Sequence, residues 1–403
     1  MQIKQLPSLF EPARPVLRKI EQAGFEAYFV GGSVRDTILG DEIHDIDIAT
    51  SAYPSEIKAI FKRTVDTGIQ HGTVMILDHG TGYETTTFRT ESGYQDFRRP
   101  DHVTFVRSLK DDLKRRDFTI NALAMKEDGT VIDLFDGITD LKRHLIRAVG
   151  NPEERFHEDA LRMMRAVRFA AKLNFSIDSA TLQGIQNHGE LLKKIAIERI
   201  EVEFTKLLLG LNPQRGLEYF LTTNLYQYCP LLKTHFQELK DFSQHDDWSL
   251  ITNDFAAWLG LLYALQIFKP LAIKKFMKAW KLSNSLISEV QRAMMVLLAV
   301  QNQQVNSMIL FKAGQSAVTV ASQIADFNRL PHQDLQKMYK QLPIKKPHEL
   351  AIDGDMLIRN TDIQPGPLLG KVIHQLLVLV VQGEINNDPN QLLQVAQDLL
   401  KKG

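Results

Sequence analysis

Hydrophobic and polar positions divide the chain into two regimes. Up to about residue 110, apolar residues come in short runs or in strict alternation. "AYFVGG" (27–32) is an apolar run closed by two glycines and predicts a buried strand. "SVRDTILG" (33–40) predicts one short helix, with Ser33 near its cap and Gly40 after its end. "DIDIAT" (45–50) alternates acid and isoleucine, the period of a strand. "HGTVMILDHGTGYETTTFR" (71–89) predicts a hairpin with "HGTG" (79–82) at its turn. Residues 90–102, "TESGYQDFRRPDH", show no periodicity and read as a long exposed loop, a length uncommon unless functional or disordered.

From about residue 111 the spacing becomes i, i+3, i+4 and largely stays so. "DDLKRRDFTINALAM", "EERFHEDALRMMRAVRFAAKL" and "LLKKIAIERIEVEFTKLLLG" (191–210) each predict helix, the last ended by Gly210 and Pro213. Pro230, "SQHDDW" (243–248), Pro270, Pro343 and Pro347 punctuate the rest. No fixed-period repeat or low-complexity tract occurs. The expected class is α+β: a small mixed α/β head followed by a long helical remainder.

Composition narrows this little. The 403 residues allow two to four domains, and 44% hydrophobic with 24% charged residues describe an ordinary globular chain. Lys+Arg and Asp+Glu both number 48, so any nucleic-acid partner must be argued from local clusters. The one cysteine, Cys229, excludes an intrachain disulfide and a cysteine zinc site and favours a reducing compartment. The N-terminus has no signal-type apolar core, and the longest aliphatic run, "LLVLVV" (376–381), is far shorter than a membrane span. A cytoplasmic protein with no membrane association and no implied protein partner is expected.

Candidate chemistry starts at the glycines. Gly31 and Gly32 end a strand where a helix begins, so bare backbone and first-turn N–H groups suit a phosphate, and Arg35 adds positive charge. Asp45 and Asp47 are two apart on an expected strand whose Ile46 and Ile48 mark the opposite, buried face. Side-by-side carboxylates repel, and a divalent cation of the Mg²⁺ type explains them. The plainer alternative is a solvated edge strand. Glu84, in the next hairpin, is a candidate third carboxylate or an exposed strand residue.

The stretch "HEDALRMMRAVRF" (157–169) sets Glu158, Asp159, Arg162, Arg165 and Arg168 among apolar residues. A mostly buried helix of that kind needs partners for its charges. Either they pair with one another or they wait for a ligand.

"GGSVRD", "DIDIATSA", "RRDFTINALAM", "DLFDGITDL" and "EDALRMMRAVRF", in this order, resemble the class II tRNA nucleotidyltransferases, the CCA-adding enzymes and their relatives the bacterial poly(A) polymerases. The match spans roughly residues 25–210, and "AIDGDMLI" and "PGPLLGKVI" extend it weakly into the tail. The resemblance implies a polymerase-beta-like nucleotidyltransferase head (1–143), a neck carrying the nucleotide-reading helix (144–210), a body (211–300) and a tRNA-binding tail (301–403), the last three helical and elongated. It implies Asp45 and Asp47 as metal-binding catalytic carboxylates, with Glu84 the candidate third, and Mg²⁺ as cofactor. Gly31, Gly32 and Arg35 match the triphosphate-holding turn; Arg116, Asp117 and, less directly, Asn121 match the motif contacting phosphates and sugar. From the residues alone, "KRRD" is equally a helix face of ion pairs, and 133–140 a turn with Asx chemistry at Gly137; in the family the latter segment is the hinge.

Asp159 and Arg162 match the family's base-reading motif. An arginine donates to cytosine O2 and N3 or adenine N1, and an aspartate accepts from the exocyclic amine of either. Uracil and guanine present a carbonyl instead, and a lost buried hydrogen bond costs ~1–3 kcal/mol. On this reading both side chains await a partner that arrives with each nucleotide. Arg165 is a second reader or a structural partner of Glu158 or Asp159; Arg168 reads as structural. Loop 90–102, with Arg89, Tyr94, Asp96 and Arg98, matches the family's flexible loop, required for the final adenosine. Lys274, Lys278 and Lys281 in "FKPLAIKKFMKAWKL" (268–282) lie on one expected helical stripe, either a tRNA phosphate track or a solvated face. "QHDD" (244–247) reads as loop rather than a phosphohydrolase His-Asp pair. The implied activity is addition of C, C and A to the tRNA 3′ end from CTP and ATP. The alternatives are poly(A) synthesis and a non-catalytic RNA-binding protein with a relic head.

Overall fold

The computed structural model describes residues 1–95 and 99–402, with only the backbone described at 91–95, 99–102 and 402. The chain forms two compact units, Met1–Phe236 and Gln237–Gly403.

In the first unit the strands are β1 (Ala27–Val30), β2 (Asp47–Thr50), β3 (Thr64–Gly68), β4 (Thr73–Asp78), β5 (Thr81–Thr87), β6 (Arg89–Gln95), β7 (Arg99–Phe105), β8 (Leu123–Met125) and β9 (Val131–Asp133). The helices are α1 (Arg14–Gln22), α2 (Gly32–Leu39), α3 (Pro54–Ile60), α4 (Leu109–Lys114), α5 (Gly137–Lys142), α6 (Pro152–Glu158), α7 (Leu161–Leu173), α8 (Ser179–His188), α9 (Ile197–Leu208) and α10 (Pro213–Thr222). Seven strands form one mixed sheet in the order β3-β4-β5-β2-β1-β8-β9. β1 is antiparallel to β2 and β8, whereas β2 runs parallel to β5. Tyr28, Val30, Ala49, Phe88, Leu113 and Ala124 cluster as buried core beside the sheet. The β4–β5 turn takes left-handed backbone at His79 (φ 47°) and Gly80 (φ 86°), as a two-residue hairpin demands.

Four expectations are corrected. Where a loop is expected over 90–102, the described residues 90–95 and 99–102 are instead paired backbone of β6 and β7, in register from Arg89↔Phe105 to Gln95↔Arg99. The helix expected over 111–125 stops at Lys114; a short 3-10 turn (Thr119–Asn121) leads into β8, next to β1 in the sheet. Its apolar spacing came from a buried turn and strand, in which every residue from Phe118 to Met125 is buried. The helix expected through His157–Phe169 breaks at Asp159, whose backbone is extended (φ −138°, ψ 103°). The 191–210 helix begins only at Ile197, after a 3-10 turn over Gly189–Lys194. A two-residue strand pair, Leu145–Ile146 with Ser176–Ile177, also interrupts the helical region.

The regular elements described in the second unit are all helical, from Phe236–Ser243 to Pro389–Lys402, and the buried Trp258 and Trp280 rings meet edge-on at 5.2 Å. Lys274 and Lys278 are exposed on the helix Pro270–Ala279. Lys281 lies past its end in left-handed backbone (φ 62°), so the expected three-lysine stripe is broken.

Helices α7, α9 and α10 pack through glycine. A Cβ at Gly216 would sit 2.7 Å from Ala171 Cβ, 2.9 Å from Leu207 Cγ and 3.0 Å from the Val167 carbonyl. Gly216→Ala is expected to destabilise the first unit by about 1–3 kcal/mol through overpacking. Urea denaturation followed by circular dichroism measures this, and an unchanged midpoint would contradict the packing account.

Candidate active site

The turn after β1 is built for close approach. Gly31 adopts φ 71°, ψ −128°, a conformation side chains rarely adopt. A Cβ there would lie 3.1 Å from Arg116 Nη1. Gly31, not Ser33, occupies the cap position of α2, and the Ser33 hydroxyl donates back to the Val30 carbonyl at 3.2 Å. Arg35 is buried on α2. Its Nε and Nη2 donate to Asp36 at 2.7 and 2.9 Å, and its Nη1 donates to Asn121 Oδ1 at 2.5 Å.

Asp47 opens β2 and Asp45 precedes the strand; both are exposed, while Ile46 and Ile48 are buried beneath them. The parallel pairing of β2 with β5 sets Glu84 opposite Asp47. Protein packed around Asp47 strips part of its water, and with Asp45 and Glu84 nearby this raises its carboxyl above the ordinary value. Among the described residues no three acidic, His or Cys side chains form a ready-made metal cage. A cation held by two carboxylates and completed by phosphate oxygens and water needs no such cage.

After α4 the chain turns inward at Arg116 and Asp117. Asp117 accepts from Arg165 at 2.6 Å and from Asn121 Nδ2 at 3.1 Å. Burial opposes ionisation of Asp117, but the Arg165 charge and these hydrogen bonds outweigh it and hold the carboxyl well below the usual range. Arg165 also lies 3.7 Å from Glu203, which accepts from Arg168 at 2.6 Å. Arg115 and Arg116 both pair with the buried Asp112, which in turn accepts from the Arg89 backbone N–H at 3.3 Å. Arg116 Nε has no hydrogen-bond partner among the described residues.

The break at Asp159 starts α7 with a polar face. Asp159 Oδ1 accepts from the Leu161 N–H and Oδ2 from Arg199, both at 3.0 Å. Arg162 Nη1 donates to Glu158 (2.7 Å) and to the Arg155 carbonyl (3.1 Å), and Nη2 to the Arg115 carbonyl (2.8 Å). Both are therefore partnered within the protein, contrary to the expectation that they stand unpaired. Arg165 pairs with neither Glu158 nor Asp159 but with Asp117 and Glu203. These elements converge on one cleft of about 460 Å³, lined by Gly31, Gly32, Arg35, Asp45, Asp47, Arg116, Asp117, Asn121, Asp159, Arg162 and Arg165, together with Arg115, Arg168, Phe169 and Lys172.

Residues 27–147 match the model of the Poly A polymerase head domain, and 250–396 that of domain 2 of tRNA nucleotidyltransferases. Between them, 174–236 match a model for an RNA- and SrmB-binding segment of polymerase A. The chain is 60% identical to the CCA-adding enzyme of Limosilactobacillus reuteri, with all of both chains covered. It is 59% identical to that of Limosilactobacillus fermentum, again over the full length of both. The crystal structure of the Bacillus stearothermophilus CCA-adding enzyme in complex with CTP superposes with a TM-score of 0.89 at 37% identity, covering 98% of this chain and 99% of that one.

The chain belongs to the CCA-adding enzymes.

This sets aside the poly(A) polymerase and relic-head alternatives. Nucleotidyltransferases of this family generally use a divalent metal. No helix of the described residues is long and apolar enough to cross a membrane.

Of the residues expected in such a CCA-adding site, all but Glu84 and the loop residues line the cleft. Glu84 lines a neighbouring cavity that shares Asp45 and Asp47 with it. Arg89 lies at the start of β6, its guanidinium donating to the His71 carbonyl, and Tyr94 pairs with Pro100 in the β6–β7 ladder. Asp96 and Arg98 lie outside the described residues. Sequence reasoning missed Arg115, Phe169 and Lys172, and took Arg168 as structural only. The Phe169 ring has Arg168, Arg35 and Arg165 around it at 3.6, 5.2 and 5.5 Å. The i, i+4 spacing of Arg165 and Phe169 was the available signal.

Because the Asp117 and Asp112 carboxyls are both depressed in the fold, their contribution to stability is complete above about pH 5 and is lost as pH falls below it. The thermal midpoint is expected to drop between pH 5 and pH 3. Asp117→Asn should lower the midpoint at pH 7 yet flatten that acid limb; an acid limb as steep as that of the unsubstituted protein would refute the assignment.

Proposed function

We propose that this protein adds C, C and A to the 3′ end of tRNA from CTP and ATP by Mg²⁺-dependent nucleotidyl transfer in the cytoplasm. The observation that carries the reading is the convergence, in one cleft, of a bare glycine turn, guanidiniums, an adjacent carboxylate pair and the Asp159–Arg162 pair. Gly31, Gly32 and Arg35 receive the triphosphate. Arg116, with its orphaned buried Nε beside the same turn, adds charge for it. Asp45 and Asp47, with Glu84 beside them, are all-oxygen donors of the type Mg²⁺ takes, and when bound the ion lowers the energy of the attacking and leaving oxygens. The 3′-hydroxyl oxygen bonds to the α-phosphorus and gives up its proton to solvent as the bond from that phosphorus to the α–β bridging oxygen breaks, and pyrophosphate leaves with that electron pair. The rest of catalysis is orientation in a preorganised charged site.

Base choice follows from counting donors. A guanidinium has five N–H groups. Three of those on Arg162 are used within the protein, which leaves Nε–H and one Nη2–H. Two donors on a fixed guanidinium suit cytosine O2 and N3, or adenine N1. Each Asp159 oxygen keeps a lone pair for the exocyclic amine, and Arg165 stands one turn further as a second contact. Lys274 and Lys278 are the exposed cations of the second unit proposed to meet tRNA phosphates.

The deciding assay uses tRNA trimmed to its discriminator base with Mg²⁺. CTP alone should add two nucleotides, and CTP with ATP three; a long A-tail or no extension would defeat the reading. Asp45→Ala or Asp47→Ala should lower turnover by about 10³-fold or more. Asp159→Ala and Arg162→Ala should instead relax selectivity, with UTP and GTP incorporated, as competition assays measure. Retention of the original preference in both would remove them as base readers.

A further inference from the structure

The cations of the cleft are not all held alike. Arg35, Arg162, Arg165 and Arg168 each donate to a carboxylate at 2.6 or 2.7 Å. Lys172 is held far more loosely. Among the described residues the carboxylate nearest its Nζ is that of Asp36, at 3.6 Å, beyond hydrogen-bond distance. Both Asp36 oxygens are already taken by Arg35, at 2.7 and 2.9 Å. Lys172 lines the cleft with its side chain 45% exposed. Partial burial and the nearby Arg35 guanidinium lower its ammonium below the ordinary value, with Arg168 adding to this and Asp36 opposing it. It is a cation among cations, with half a counter-charge.

Its place in the fold points to the anion it suits. Arg162, Arg165, Arg168 and Lys172 follow one another along one side of α7 at helical spacing. Lys172 stands about 15 Å of helix beyond Arg162. At that end α7 meets α2: Lys172 approaches Asp36, Asp36 holds Arg35, and Arg35 Nη2 lies 3.7 Å from where a Cβ of Gly32 would be. The bare glycine turn, Arg35 and Lys172 therefore adjoin at the end of the cleft away from Arg162.

We infer that Lys172 binds the terminal phosphate of the incoming nucleotide and, after transfer, the pyrophosphate that carries it away. The inference rests on the proposed transfer reaction. With the base read at the start of α7, the phosphate farthest from the base falls toward the helix end. An ammonium on a flexible four-carbon stem can turn from Asp36 to a phosphate oxygen without unmaking the Arg35–Asp36 pair. The contact touches no base, so it adds affinity for CTP and ATP alike and takes no part in choosing between them.

Lys172→Met in the full chain tests this. With tRNA saturating, KM for CTP on trimmed tRNA and KM for ATP on tRNA already ending in CC should rise by the same factor, about ten-fold, and by more than kcat falls. The inhibition constant of pyrophosphate should rise with them, while that of CMP, which lacks the terminal phosphates, stays unchanged. Lys172→Arg, which keeps the charge, should restore these constants. A Met variant with unchanged KM, or one in which CMP inhibition weakens as much as pyrophosphate inhibition, would show that Lys172 merely shields Asp36. If the unsubstituted protein adds nothing, the transfer reading itself fails, and the role of Lys172 with it.

Discussion

The ion pair between Asp117 and Arg165 is the contact on which the site depends. It joins the inward turn after α4 to the middle of α7, across 48 positions of sequence. Each partner has a further role: Asp117 accepts from Asn121, which accepts from Arg35, and Arg165 leans on Glu203, which holds Arg168. Asp36 closes the other end of the series, holding Arg35 and standing 3.6 Å from Lys172. The result is a series of acids and bases from α9 to α2 whose counter-charges offset the mutual repulsion of many guanidiniums in one cleft. A buried cation without such a counter-charge would be costly, and removal of one member strands its neighbour. This is why cations suited to a triphosphate can be held in place before any triphosphate arrives.

A second acid organises the opposite wall. Asp112, on α4, receives Arg115, Arg116 and the backbone of β6. The Arg115 carbonyl in turn accepts from Arg162, so the α4 and α7 arginines of the cleft share one short stretch of backbone. Position is thereby transmitted through direct hydrogen bonds, with no need for long flexible side chains to find their places.

Much of this was legible in the sequence, and the parts that were not share a physical origin. The glycine turn, the Asp45–Asp47 pair and the Asp159–Arg162 pair declare themselves by local spacing. The strand β8 does not, because every residue of "INALAM" is buried, and a short fully buried strand has no period of its own. The break at Asp159 was hidden because the same carboxylate that interrupts the helix also caps the next one through the Leu161 N–H. The partners of Asp159, Arg165 and Arg168 lie 35 to 48 residues away in sequence, and no periodicity reports on such pairings. The sequences of β6 and β7 are mostly polar, so they carry no hydrophobic alternation.

If Arg162 reads the base as proposed, its partial engagement within the protein bears on release as well as on choice. A reader with every donor idle and buried would hold any nucleotide that satisfied it, and would surrender the incorporated base slowly. With three donors permanently engaged by Glu158 and two carbonyls, the guanidinium loses little when a base departs. The energy difference between an occupied and a vacated reader is thus kept small. A side-chain template that stays behind after each addition can then be reused at once, and three successive rounds can proceed without the reader itself becoming a trap.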